Sequence, residues 1–285
     1  MLIYSYSIAE DMLRLGWFST GRGPGSRDLL RTVMEKKDNG ILNVNIEFVF
    51  CNWDNKEEPN ARKEQREMFF DMVKGYGIPL VALSWKTFRP DLWENDQETW
   101  RNEYGKEMRK ALSKYGFDLG VLAGYMLWVD DETCASYDLI NLHPALPDGP
   151  KGTWQEVIWQ LIRDDATEHG IMIHLCTKDW DRGSALTYCG FPIRGKGYDE
   201  LWERMHDKLK KRTIEQIKAE EGEKEPLFAK IRADGAKREL PLIVSTIERF
   251  AAGDLELKGQ RPFYKGNELD GPFDLSKDVD RSVGE

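Results

Sequence analysis

Three short segments combine groups able to hold an anion, stabilise a developing negative charge and move a proton. The first is residues 18–30, FSTGRGPGSRDLL, where Gly21, Gly23 and Gly25 precede Ser26. Glycines at this spacing let the backbone turn tightly with its amides pointing outward, and a following helix adds the positive end of its dipole. A phosphate suits such a cradle; a plain strand-to-helix turn is the other reading. The segment lacks the Lys of GxxxxGK[ST], and its GxGxG differs from the GxGxxG of dinucleotide folds. The second segment is NLHPALP, residues 141–147. Residues two apart in an extended chain point to the same side, so Asn141 and His143 can face one reacting group. An amide then donates to an oxyanion, and an imidazole exchanges a proton near neutral pH. The alternative is a buried histidine with a satisfied hydrogen bond. The third segment, HLCTKDWDRG, residues 174–183, carries His174 into an acidic turn. Either Asp179 or Asp181 can reach back to orient an imidazole, or the turn is simply solvated.

The elements that must position these groups alternate along the first two-thirds of the chain. Runs rich in β-branched and aromatic residues predict strands at 12–19, 45–52, 79–83, 119–126, 139–142, 171–176 and 185–191. Amphipathic stretches at 27–37, 58–75, 98–115 and 153–164 predict crossover helices. This is the pattern of an α/β fold, a Rossmann-like, mostly parallel twisted sheet with helices on both faces. Each chemical segment follows a strand, where such sheets place their ligands. Residues 204–240 are highly charged and predict an exposed helical insertion with a break at Pro226. An amphipathic helix from Pro241 to Ala252 and a tail over 254–285 follow, the last dozen residues expected to be loose. The whole, residues 1–285, reads as a single domain.

Composition narrows the function. The 285 residues are 40% hydrophobic and include 10 Trp, 10 Tyr and 12 Phe, enough for a sizeable core and too apolar for a disordered chain. A net charge of −9 disfavours an extended nucleic-acid-binding face, which needs clustered Lys and Arg. The cysteines, at 51, 134, 176 and 189, form neither a zinc-type pair of pairs nor CxxC, and read as free, mostly buried thiols in a reducing compartment. No metal site is expected. Neither a membrane span nor a basic-flanked leader is visible, so a cytoplasmic protein acting on small molecules is expected, with a homodimer left open.

The order STGRGPGSRDLL, VFCN, AGYM at 123–126, NLHPALP, GIMIHLCTKDWDRG and PLIVSTIERFAAGDLEL resembles the folate-dependent formyltransferases, nearest to their phosphoribosylglycinamide formyltransferase branch. The resemblance covers about residues 12–203 and resumes near Pro241. It implies that Asn141, His143 and Asp181 are catalytic, and that Gly21, Gly23, Gly25 and Ser26 hold a substrate phosphate. It also implies that a folate lies against Met126, Leu127, Trp128 and Val129 on one side and Thr177, Lys178, Asp179 and Trp180 on the other. Arg101 matches an arginine associated with the folate's glutamate tail, and His174 a further active-site histidine. The implied reaction moves a formyl group from 10-formyltetrahydrofolate to a primary amine, with glycinamide ribonucleotide the favoured acceptor. Asp181 beside His143 would favour the imidazolium by opposite charge.

Four departures bear on the substrate. HPALP is one residue shorter than the family's HPSLLP. Leu127 stands where an Arg is common, Ser184 where a Pro is, and Ala236 where a Glu helps hold the acceptor. Formyl transfer to another amine, such as an amino sugar nucleotide, is therefore an alternative. Hydrolysis of formyltetrahydrofolate is a second, disfavoured because the dozen residues before the first strand leave no room for that family's regulatory domain. A catalytically idle folate- or nucleotide-binding module is a third.

Overall fold

A computed structural model describes residues 12–54, 56, 61–178 and 183–284. From the N-terminal side, β1 (Leu13–Ser19), α1 (Pro24–Asp38), β2 (Val44–Cys51), α2 (Ala61–Gly75) and β3 (Leu80–Ala82) form one winding. Then α3 (Pro90–Asn95) and α4 (Gln97–Leu112) return the chain to β4 (Leu119–Leu122), α5 (Asp131–Ser136) and β5 (Leu139–His143). The remainder comprises α6 (Trp154–Arg163), the antiparallel pair β6 (Glu168–Leu175) and β7 (Ala185–Pro192), and helices α7 (Asp199–Leu209), α8 (Ile214–Glu220) and α9 (Pro226–Ala251). It closes with β8 (Leu255–Lys258), β9 (Arg261–Tyr264), β10 (Asn267–Glu268), β11 (Phe273–Asp274) and α10 (Ser276–Val283).

The main sheet has eight strands in the order β11-β7-β6-β5-β4-β1-β2-β3. Its β1–β5 half is wholly parallel, while β6 runs antiparallel to both β5 and β7. This is the expected mostly parallel sheet. Winding reverses between β1 and β4, and that crevice is where doubly wound sheets admit ligands. Both faces are covered. One carries a large, mostly aliphatic core that includes Leu30 and Val33 of α1, Phe69 of α2, Ile158 of α6 and Ile243 of α9. The other is smaller and aromatic, with Phe18, Phe48, Phe50, Trp100, Tyr104 and Leu139 around Met108. Residues apolar on both faces of β1 and β2 are what such a sandwiched parallel sheet requires.

The C-terminal third departs from expectation. Residues 204–240 do not form an exposed excursion: Met205, Ile217, Leu227, Phe228 and Ile231 are all fully buried. Their apolar residues are few but stand on one side of each helix, and that side faces the large core. Pro226 opens α9, and Pro241 lies inside that helix rather than at its start. A proline within a helix costs about 3 kcal/mol. Burying Leu227, Phe228 and Ile231 before it and Leu242, Ile243 and Ile247 after it, at about 1.5–3 kcal/mol each, outweighs that cost. Nor is the tail loose. Phe273 and Asp274 pair with Thr187 and Tyr188 as a sheet strand, and Leu275 and Val279 are buried where α10 packs on α9.

Candidate active site

The expected strand at 119–126 ends at Leu122, because Gly124 takes a positive φ of 70° and turns the chain across the sheet. That turn is tied to the glycine-rich loop. The Thr20 amide donates to the Gly124 carbonyl at 3.2 Å, and the Met126 amide donates to Thr20 Oγ1 at 3.1 Å. The loops of β1 and β4 thus form one unit at the switch point, with Thr20, which the sequence reading did not single out, as the joint.

Gly21 holds φ at +63°, and a side chain there would meet Phe69 at 2.9 Å, so only glycine fits without strain. Gly23 and Gly25 differ: a Cβ at either position meets nothing within 4 Å, so both border open space. Gly23 is the N-cap of α1 and supplies no side-chain cap, and Pro24 has no amide hydrogen. The first turn of α1 therefore offers its amides to an outside acceptor beside buried Ser26. Behind the loop lies Arg66, 1% exposed, its Nε donating to the Thr20 carbonyl at 3.4 Å and its guanidinium 4.5 Å from the Trp53 ring. Burial lowers the pKa of this guanidinium. Arg66 was invisible in the sequence because it reads as one more charge on an amphipathic helix.

Asn141 and His143 lie on β5, two residues apart, and Asn141 pairs directly with His174 across the antiparallel β5–β6 ladder. Residues opposite one another in a ladder share a face, so all three side chains stand on the aromatic side of the sheet. His174 Nδ1 donates to the Leu175 carbonyl at 2.9 Å, which leaves Nε2 to accept from the Asn141 amide at 3.4 Å. A carbonyl only accepts, so these two bonds fix both the tautomer and the amide orientation. The Asn141 amide keeps a second hydrogen for another acceptor. His143 is 2% exposed and donates through Nε2 to the Pro150 carbonyl at 3.1 Å, folding the shortened loop after Pro144 back over it. The two imidazoles meet edge to face with centroids 6.3 Å apart.

Along the other wall, Met126 and Trp128 are half-exposed while Val129 is buried. Leu127, where the family commonly carries Arg, packs against the aromatic core. The Arg101 guanidinium stacks 4.3 Å from the Trp128 ring and lies 3.9 Å from Asp131. The Trp128 indole donates to the Lys178 carbonyl at 3.3 Å, bridging the segment after β4 to the start of the acidic loop, beside Thr177. This wall is braced from below by Asp130, 2% exposed, which accepts from Arg109 and from Thr133 at 2.5 Å each. A side chain on Gly105 would fall within 1.7 Å of the same carboxylate. Asp179, Trp180 and Asp181 lie outside the described residues.

The frame and this site define a doubly wound α/β protein with a glycine-rich loop at the switch point and an Asn–His pair two strands away, on β5. A family model described as formyl transferase matches residues 22–217, and the chain belongs to that family. It is 33% identical over 205 residues to the phosphoribosylglycinamide formyltransferase of Dictyostelium discoideum, an alignment covering 68% of this chain and 93% of that protein. Among solved structures, the phosphoribosylglycinamide formyltransferase of Coxiella burnetii shares the fold, with a TM-score of 0.59 at 20% identity over 92% of this chain and 99% of that one. A formyltetrahydrofolate deformylase of Pseudomonas putida KT2440 does so with a TM-score of 0.57 at 15% identity, over 90% of this chain and 71% of the other.

Proposed function

We propose that the chain transfers the formyl group of 10-formyltetrahydrofolate to the primary amine of glycinamide ribonucleotide, in the cytoplasm. The observation that carries this reading is the convergence of Asn141, His143 and His174 on one sheet face, beside a glycine loop whose open positions lead to free helix amides.

Attack of an amine on a formyl carbon places negative charge on the former carbonyl oxygen. In this reading Asn141 donates its unspent amide hydrogen to that oxygen, held in orientation by His174. His143 supplies a proton, and Asp181, carried over from the family motif, keeps its imidazole charged. One donor to such an oxygen is worth about 10²–10³-fold, and acid–base assistance about 10²–10⁴-fold. The glycine loop at Gly21, Gly23, Gly25 and Ser26 holds the acceptor's phosphate. The pterin lies between residues 126–129 and 177–180, where the exposed Met126 and Trp128 side chains fit a flat ring, and Arg101 attends the glutamate end.

The test is a mass-spectrometric assay of 10-formyltetrahydrofolate-dependent product over a panel of amines that includes glycinamide ribonucleotide and amino sugar nucleotides, with formate release measured in the absence of amine. Formylated glycinamide ribonucleotide is the expected product. Formate release alone would overturn the transfer reading in favour of hydrolysis. His143→Ala is expected to lower turnover at least about a hundredfold with folate binding retained.

A further inference from the structure

Two cysteines far apart in sequence meet beside the proposed folate wall. Cys134, on α5, and Cys176, just past β6, have their sulfurs 3.8 Å apart in a thiol hydrogen bond. We infer that Cys134 and Cys176 form a reversible oxidation site, a dithiol that hydroperoxides convert to a disulfide, tying the segment after β4 to the base of the acidic loop.

Both backbones are held in place. The Cys176 amide donates to the Leu139 carbonyl at 2.8 Å, and the Cys134 amide donates to the Asp130 carbonyl at 3.0 Å. Bond formation requires the sulfurs to close from 3.8 Å to about 2.05 Å, which draws α5 and the base of the acidic loop towards each other. Reactivity is confined to this pair. The thiol hydrogen bond with Cys176 holds Cys134 below its ordinary pKa, with Arg101 acting in the same direction and burial, Asp130 and Asp131 opposing. Burial pushes Cys51 and Cys189 up to about 12, which leaves them inert. Cys176 is partly exposed, giving an oxidant access that Cys134, 4% exposed, lacks.

The step balances with a hydroperoxide as oxidant. Cys176, the accessible sulfur, attacks the distal peroxide oxygen while its thiol proton passes to the departing oxygen; an S–O bond forms, the O–O bond breaks and an alcohol leaves, or water when the oxidant is hydrogen peroxide. Cys134 then attacks the Cys176 sulfenic acid, forming the S–S bond and releasing water that carries the Cys134 proton. The two sulfurs are oxidised by one electron each and the peroxide is reduced by two. Intracellular disulfides of this type are transient and reversible by thiols.

The consequence for catalysis rests on the proposed function. Trp128, six residues before Cys134, and Lys178, two residues after Cys176, bridge the two walls. Drawing α5 and the loop base together displaces those walls, and misplacement by about 1 Å costs up to about a hundredfold in rate. The full chain is treated with hydrogen peroxide, denatured, alkylated and mapped by mass spectrometry, and its turnover is followed in parallel. Cys134 and Cys176 are expected in one linked peptide pair that dithiothreitol releases, with Cys51 and Cys189 alkylated. Turnover is expected to fall about tenfold and recover on reduction. Cys134→Ser should keep basal turnover, lose the linkage and the peroxide sensitivity, and leave a sulfenic acid on Cys176 that dimedone traps. Alkylation of both cysteines after peroxide, or linkage to any other cysteine, overturns the site; linkage with unchanged turnover overturns its control of catalysis. A chain without formyl-transfer activity would sink the proposed function while the peptide map still decides the linkage.

Discussion

Valine at position 23 would separate binding from folding. The backbone there is extended, with φ −163°, and a Cβ meets nothing within 4 Å, so the substitution fits the fold. Replacing a glycine N-cap by a β-branched residue costs at most about 1 kcal/mol. Its two methyl groups would nevertheless stand in the open space over the first amides of α1, where a phosphate is proposed to sit. A charge-assisted hydrogen bond is worth about 1.5–3 kcal/mol. Losing one of them removes about 1.5–3 kcal/mol, or roughly tenfold to a hundred-and-fiftyfold in affinity. The assay is steady-state kinetics on glycinamide ribonucleotide, with KM for the acceptor expected to rise in that range and KM for the folate unchanged. Urea midpoints confirm the fold. Gly21→Ala is the contrasting variant: φ is +63° and Phe69 lies 2.9 Å from the new Cβ, so stability should fall first. A Gly23→Val enzyme with intact fold and acceptor KM within twofold of the parent would refute the cradle.

Two further outcomes follow from buried groups outside the reacting set. Burial lowers the His169 pKa to about 4, so the folded state excludes a proton that the unfolded chain accepts near 6.5. Stability should therefore be full above pH 6.5 and decline as pH falls from 6.5 to 4, by up to about 3 kcal/mol. His169→Phe should flatten urea midpoints across that window, and an unchanged slope would exclude His169 as the cause. Gly105→Ala gains up to about 1 kcal/mol of helix propensity but drives a methyl into Asp130, disrupting its pairing with Arg109. Overpacking against a buried ion pair should leave a net loss of about 2–4 kcal/mol in denaturant unfolding, and a neutral variant would contradict the packing described.

The winding of the sheet was legible because strands covered on both faces announce themselves as unbroken apolar runs. The Asn141–His143 pair was legible because a period of two holds in any strand. That Asn141 faces His174 was not, since it depends on the antiparallel turn of β6 and its register. The contact of Cys134 with Cys176 spans 42 residues and leaves no local trace. The C-terminal third misled for another reason. In residues 204–240 charge outnumbers apolar side chains, yet Leu227, Phe228 and Ile231 are fully buried, and a few well-placed residues decided the packing. Deleting 207–235 should accordingly unfold the chain rather than trim an exposed insertion, a loss that circular dichroism would register. In the tail, Val279 is the one buried residue of α10, a helix that is otherwise polar or charged up to its last residue, Val283.

The two faces of the sheet divide the labour. Asn141, His143 and His174 stand with the compact aromatic layer, whereas most of the apolar mass is sequestered on the reverse side. Aliphatic exchanges on that reverse side can accumulate with no direct route to the reacting groups. Tolerance to heat is thus separable from the Asn–His chemistry, whereas the glycine loop proposed to hold the acceptor leans on that same reverse-side core through α1 and Phe69.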